Sequence, residues 1–236
     1  MKKRLAAAVM TAVMVFSVTG CKNPKKKKCE NFDLAEAAEL MGAEHYTKLE
    51  NLITTLEYQY DVIKKGAKGD STAVYNTLTS EQISGFLEEY PSNSGFKYLN
   101  LEDLQSFTYY FSFRKGEPNC MMNFAATAYV FKTEEAAKAF FEAYEPDSET
   151  TIKYFDMLGS DGSKEFGKTK TRDDGLMYRC YAVGGDDFGI RFEEGTYLLG
   201  NTVIDMTEAI GLYKNPDKQL NDVCDLLGIP RVEDVL

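Results

Sequence analysis

Five cysteines, one histidine and the three pairs of adjacent acids that adjoin glycine are the residues of this chain with the most obvious chemical potential. A thiol or hydroxyl nucleophile needs a base within hydrogen-bond reach. The sole histidine, His45, stands beside Tyr46 between two apolar-periodic segments, a place that suits packing or exposure better than a dyad with Cys120. Asp173-Asp174, Asp186-Asp187 and Glu193-Glu194 could supply the acid and base of a glycosidase-type hydrolysis. Each pair also adjoins glycine, which reads as a solvated turn. There is no Gly-x-Ser-x-Gly and no His-Glu-x-x-His. Without an Asp-x-Asp-x-Asp-Gly loop or a Cys-x-x-Cys pair, no calcium or structural zinc site is expected. No other cofactor is expected either.

Cys21 differs from the other thiols because of what precedes it. Met1-Lys2-Lys3-Arg4 is a basic head, Leu5 to Val18 is almost wholly apolar, and Val18-Thr19-Gly20-Cys21 ends in small residues followed by the thiol. The apolar run is about 14 residues, short of the roughly 20 that a helix needs to span a ~30 Å hydrocarbon core. It does not end in an Ala-x-Ala-like site, as an ordinary secretory signal would. The segment resembles the signal peptide and lipobox of bacterial lipoproteins. That resemblance implies cleavage between Gly20 and Cys21, a diacylglyceryl group on the Cys21 sulfur, and a mature chain anchored on the extracytoplasmic face of the membrane. Durable attachment takes more than one acyl chain, at about 0.8 kcal/mol per buried methylene.

Residues 1–20 are thus read as a signal peptide, and 21–29 as the lipidated cysteine and a Lys-rich tether. Residues 30–236 are read as a single acidic extracytoplasmic domain, with one plausible internal boundary near 91–98. The first 28 residues hold 8 of the 27 basic residues and none of the 37 acidic ones. The remainder therefore has 19 basic against 37 acidic residues, a net charge of −18. A body so acidic repels nucleic-acid phosphate, so no DNA or RNA partner is expected. The tether lysines could instead meet an anionic lipid surface.

With Cys21 assigned to lipid, Cys29, Cys120, Cys180 and Cys224 remain. Export permits oxidation, and four cysteines allow three pairings. Cys120 with Cys180 would staple the sheet, and Cys29 with Cys224 would tie the chain ends. Buried cysteine packed as a small hydrophobe is the alternative.

The elements that position these groups change character along the chain. Leu34, Ala37, Ala38 and Met41, then Leu49, Leu52, Ile53, Leu56, Tyr60 and Ile63, recur at helical spacing, with Gly42 dividing them. Thr79 or Ser80 can cap a third helix that Pro91 stops. From Phe107 the pattern is β. Phe107–Phe113 and the alternating Met122 to Val130 form a hairpin around Lys115-Gly116-Glu117-Pro118, and Thr133 caps a following helix. Ala126 and Ala128 would let that helix lie close across the sheet. Strands are expected at Met177–Val183, Phe188–Glu193 and Tyr197–Met206, with turns at Gly184 to Asp187 and Glu194-Gly195. A last helix carries Leu220, Val223, Cys224 and Leu227 and ends at Gly228.

The expected fold is α+β: an antiparallel sheet with helices packed on one face, plus an N-terminal helical layer. The chain has 15 Tyr and no Trp. Tyr109, Tyr110, Tyr178 and Tyr181 on predicted strands are therefore the aromatics that could form an exposed stacking surface. Two functions follow. One is a lipid-anchored, non-catalytic envelope module that contacts a protein, a peptide or a small ligand. The other is a membrane-tethered hydrolase that uses loop carboxylates.

Overall fold

The computed structural model describes residues 29, 31–46, 71–89, 99–115, 120–144, 163–185, 190–210 and 219–236. The expected signal peptide and tether and the second amphipathic stretch from Leu49 to Ile63 lie outside the described residues. One mixed sheet organises the fold. Its strands are β1 (Glu44–His45), β2 (Ser71–Thr79), β3 (Leu104–Lys115), β4 (Cys120–Phe131), β5 (Ser163–Phe166), β6 (Lys170–Thr171), β7 (Met177–Gly185), β8 (Ile190–Leu199) and β9 (Thr202–Ile210). They run in the order β1-β2-β3-β4-β9-β8-β7-β5, with β6 also on β7. Only β1 and β2 pair in parallel. Two antiparallel runs, β2 to β4 and β5 to β9, therefore meet at the central β4–β9 pair. The elements on either side of 91–98, β2 and β3, pair over nine positions.

Five helices flank the sheet among the described residues: α1 (Leu34–Leu40), α2 (Ser80–Glu89), α3 (Glu134–Ala143), α4 (Gln219–Leu227) and α5 (Val232–Val235). Their starts follow from local chemistry. Asp33 accepts from the amides of Ala35 and Glu36 at 2.8 and 3.3 Å, and Thr133 Oγ1 accepts from Ala136 at 3.1 Å. Thr79 and Gln82 form a reciprocal capping box, at 2.9 and 3.3 Å.

The α+β class holds, but the helices are distributed over both faces of the sheet. On one side Leu34, Ala37 and Ala38 of α1 join Leu220, Val223 and Cys224 of α4 and Val232 of α5 against Tyr110, Phe124, Ala126, Ala128, Ile204 and Met206. On the other, Ile83 of α2 and Ala137, Phe140 and Phe141 of α3 cover Phe107, Tyr109, Tyr129, Phe131, Leu198 and Val203. Neighbours such as Tyr109 and Tyr110, or Val203 and Ile204, are both buried because each strand residue points opposite to the next. This arrangement differs from the expected one in that the N-terminal α1 shares its face with α4 and α5, while α2 and α3 cover the other. It also moves Ala126 and Ala128 away from α3, which packs on Tyr129 and Phe131 instead.

The C-terminal meander corrects another expectation. Glu194-Gly195 is not a turn: β8 continues through it to Leu199, and the reversal falls at Gly200-Asn201, where Gly200 takes a φ of 57°. A Cβ on Gly195 would lie 2.4 Å from Tyr197 Oη, so the glycine is the space in which the Tyr197 ring lies along the strand.

Candidate functional site

The acids singled out in the sequence separate into three environments. Asp174 lies in the exposed turn before β7, where Arg172 Nε donates to its Oδ1 at 2.8 Å and a second guanidinium nitrogen binds Oδ2. That forked contact holds the Asp174 carboxyl down at about 2. Asp173 is exposed beside it, and Asp186-Asp187 lie outside the described residues.

Glu193 and Glu194, adjacent in β8, point to opposite faces, and each is only 4% exposed. Glu193 accepts from Arg191 Nε at 3.0 Å, and Arg191 also reaches Glu165 of β5 at 2.9 Å. Its cross-strand partner, Glu208, is occupied differently: its two oxygens accept from the amides of Gln219 and Leu220 at 2.9 and 3.0 Å. Glu208 therefore caps α4, satisfying donors that the first helical turn leaves open.

On the α3 face, a polar row crosses the sheet in register. Arg179 pairs with Thr196, Thr196 with Asp205, Asp205 with Thr127, Thr127 with Tyr109, and Tyr109 with Asn76. Asp205 is its centre. Thr196 Oγ1 donates to Oδ1 at 2.8 Å and Tyr144 Oη to Oδ2 at 3.1 Å, while Glu194 contributes a further side-chain hydrogen bond. Burial pushes the Asp205 carboxyl up to about 6, opposed by these hydrogen bonds and by the Arg179 charge. Arg179 donates to the carbonyls of Phe141, at 2.8 Å, and Tyr144, and its guanidinium lies 4.7 Å from the centre of the Phe141 ring. Burial lowers its pKa and raises that of Tyr144. A basic residue at a helix C-terminus satisfies its last carbonyls and complements the dipole.

Chemically, burial suits Asp205 to hold a proton beside Glu194. At 9 and 4% exposure, under the end of α3, they face protein rather than an entering substrate. Asp205, Arg179 and Glu208 were not among the residues chosen from the sequence. A signal was there: Asp205 interrupts Val203-Ile204 and Met206, an acid inside a strand buried on both faces.

The thiols are placed apart from the acids. Cys29, Cys180 and Cys224 are free thiols in the structure. Cys120 opens β4 opposite Lys115 at the hairpin tip, whereas Cys180 lies in β7, three strand positions away across β9 and β8. That offset alone is about 14 Å, too far for a disulfide. The Cys120 side chain lies outside the described residues. The chain ends are joined instead by a backbone hydrogen bond from Cys29 N to Leu226 O, 2.9 Å. Cys180 and Cys224 flank one hydroxyl: Tyr197 Oη is 3.7 Å from each sulfur and donates to Pro230 O at 2.9 Å. Burial pushes the Cys180 thiol up to about 11 and that of Cys224 to about 12.

His45 Nε2 is 3.1 Å from Asn76 Oδ1, and the ring stacks on Tyr75 with centroids 5.1 Å apart. Through the register it lies level with Ala126, six residues or roughly 20 Å along β4 from Cys120. No dyad joins them. Of the four tyrosines considered for an aromatic surface, Tyr109, Tyr110 and Tyr181 are buried and Tyr178 is half-buried against the core. Helices on the two sides leave Tyr110 and Tyr109 inside rather than on an exposed stacking surface. No group of three or more His, Cys, Asp or Glu side chains among the described residues could hold a metal ion, and no described helix is long and apolar enough to cross a membrane.

No protein-family model matches the chain, and no curated protein does. Among solved structures, the chain is similar to the extracellular domain of PknH from Mycobacterium tuberculosis. The match has 12% identity and a TM-score of 0.37, and covers 79% of this chain and 94% of that one.

Proposed function

We propose that this chain is a bacterial lipoprotein, anchored through Cys21 on the extracytoplasmic face of the cell membrane, whose acidic domain is a non-catalytic binding module. The observation that carries the reading is Val18-Thr19-Gly20-Cys21 at the end of a basic head and a short apolar run, followed by a Lys-rich tether. The partner is an envelope protein, a peptide or a small ligand. A net charge of −18 beyond the tether favours a cationic or neutral one and disfavours nucleic acid.

The non-catalytic half of the reading is supported by how the candidate acids are used. Asp174 is gripped by Arg172, Glu193 by Arg191, and Glu208 by the first turn of α4. Asp205 and Glu194 face inward, beneath α3. A hydrolase needs its acid and base at the surface of a cleft that a substrate can enter. Glu193, Glu194, Asp205 and Glu208 instead complete the packing of the fold, and Asp174 is held at the surface by Arg172.

The test is metabolic labelling with a radioactive fatty acid, combined with membrane fractionation of the native chain and of Cys21→Ser. Label on the native chain only, with Cys21→Ser unlabelled and uncleaved, is the expected result. A Cys21→Ser chain that is processed normally and stays in the membrane would sink the lipid anchor. Crosslinking in the native cells then addresses the binding half: capture of one discrete species by the anchored chain supports it. Turnover of a glycoside or ester substrate, abolished by changing Asp186 and Asp187 to Asn, would replace it with the hydrolase.

A further inference from the structure

We infer that the domain is held with one particular surface against the lipid headgroups: the surface formed by the C-terminal turn of α4, by α5 and by the β5–β6 connection. The α3 side of the sheet is turned away from the membrane. This orientation rests on the lipid attachment proposed above and adds which face that attachment leaves free.

The point at which the chain enters the domain is fixed. Cys29 N donates to Leu226 O at 2.9 Å, and Cys29 packs against the cluster built from α1, α4 and α5. Eight residues, Cys21 to Lys28, separate this point from the lipid. Fully extended they reach about 26–29 Å, and as a flexible coil roughly 15 Å. The far face lies across a helical layer, the sheet and a second helical layer, about 30 Å in all. For α3 to touch the headgroups, the tether would have to run the whole thickness of the domain at full stretch. At its relaxed length it keeps the α4–α5 end next to the bilayer.

The charge that favours this orientation lies in the tether. Lys25 to Lys28 place four positive charges immediately before the entry point. The exposed Lys168 and Lys170 lie on the β5–β6 side, with Lys170 Nζ donating to Val235 O at 3.2 Å. Leu236, next along the chain, is the exposed large hydrophobic residue among those described, at 40%. Arg231 is bonded twice to Asp225, at 3.0 and 2.8 Å, and Arg172 to Asp174, so these four charges largely cancel. Asp33, Asp173, Glu233 and Asp234 are also exposed on this side, so the folded surface itself is not cationic. The tether lysines therefore supply the attraction to an anionic surface, and the shortness of the tether supplies the orientation. The rest of the acidic body is repelled by the same surface.

The test uses the full lipidated protein, purified from membranes and reconstituted in phosphatidylcholine–phosphatidylglycerol vesicles that contain a phospholipid with a photoreactive headgroup. After flotation and irradiation, lipid adducts are mapped by mass spectrometry. Adducts concentrated in peptides spanning 168–172 and 226–236, several-fold above the α3 peptide with its exposed Lys138, are the expected result. Adducts spread evenly over the two faces, or richer on α3, in protein that floats with the vesicles would overturn the orientation and leave the anchor standing. Protein that does not float would overturn both.

Discussion

Tyr144, the residue that ends α3, donates its hydroxyl to Asp205 in the middle of β9 at 3.1 Å. Helix and sheet are thus joined by a polar contact as well as by Phe140 and Phe141. Hydrogen bonds to charged or partly charged buried groups contribute about 1.5–3 kcal/mol. Tyr144→Phe keeps the ring and leaves Asp205 one donor short. The expected outcome is a loss of about 1–3 kcal/mol in the urea unfolding free energy with an unchanged slope. An unchanged midpoint would show that the contact contributes nothing.

The same carboxyl makes stability depend on pH in a defined window. Asp205 is raised from about 3.8 to about 6 in the folded protein, chiefly by burial. Between those values the folded chain holds a proton that the unfolded chain has released. Stability from this group is therefore greatest at the acid end of the window and falls as pH rises through about 6. Asp174, lowered to about 2 by Arg172, acts in the opposite sense and below the window, its contribution disappearing as pH falls from about 4 to 2. Urea midpoints at the two ends of the Asp205 window should show the native chain losing stability toward higher pH, and Asp205→Asn showing a flatter profile. Equal slopes would mean that Asp205 is ionised throughout.

Gly195→Ala tests why β8 runs through a sequence that resembles a turn. The added Cβ would meet Tyr197 Oη at 2.4 Å and Cε2 at 2.6 Å, and Tyr197 is fully buried with its hydroxyl on Pro230 O. Overpacking of this kind costs about 1–3 kcal/mol. Adding Tyr197→Leu to Gly195→Ala should cost less than the sum of the two single changes, because the clash disappears with the ring. Additive effects would locate the strain elsewhere.

These residues also mark where the sequence was legible and where it was not. Caps and helical stripes are local: Thr79, Thr133, Gly42 and Gly228 lie at helix boundaries as their chemistry requires, and the hairpin from Phe107 to Phe131 follows its alternation. The strand Ser71–Thr79 falls in a stretch whose overall composition reads as helical, and its place beside β3 depends on pairing with residues some 35 positions away. Glu193-Glu194-Gly195 has the residue types of a turn, and only the Tyr197 ring lying over Gly195 explains why it is strand. Tyr109 and Tyr110 point to opposite faces of the sheet, and neither is exposed because helices cover both sides. The partners of Asp205, at positions 144, 179, 194 and 196, converge only when three strands and a helix end are assembled.

The thiol cluster gives a prediction that bears on export. Free cysteines in an oxidising compartment persist when they are inaccessible and carry little thiolate. Cys180 and Cys224 meet both conditions: each is fully buried and raised to about 11 or 12, and Tyr197 Oη contacts both sulfurs. Cys29, half-buried and raised to about 11 by burial and by Glu36 and Asp33, is more accessible and still a weak nucleophile. Protein purified without reductant should therefore resist iodoacetamide at Cys180 and Cys224 until denaturant is added, with Cys29 reacting slowly in the native state. Intact masses of those peptides should be the same with and without a reductant. A native mass lower by a pair of hydrogens, restored on reduction and mapped to Cys180 and Cys224, would mean that the Tyr197 hydroxyl gives way and the sheet and α4 are covalently joined. Retained thiols would mean that the attachment of α4 to the sheet depends on burial, on the Glu208 cap and on Tyr197, whatever the redox state outside.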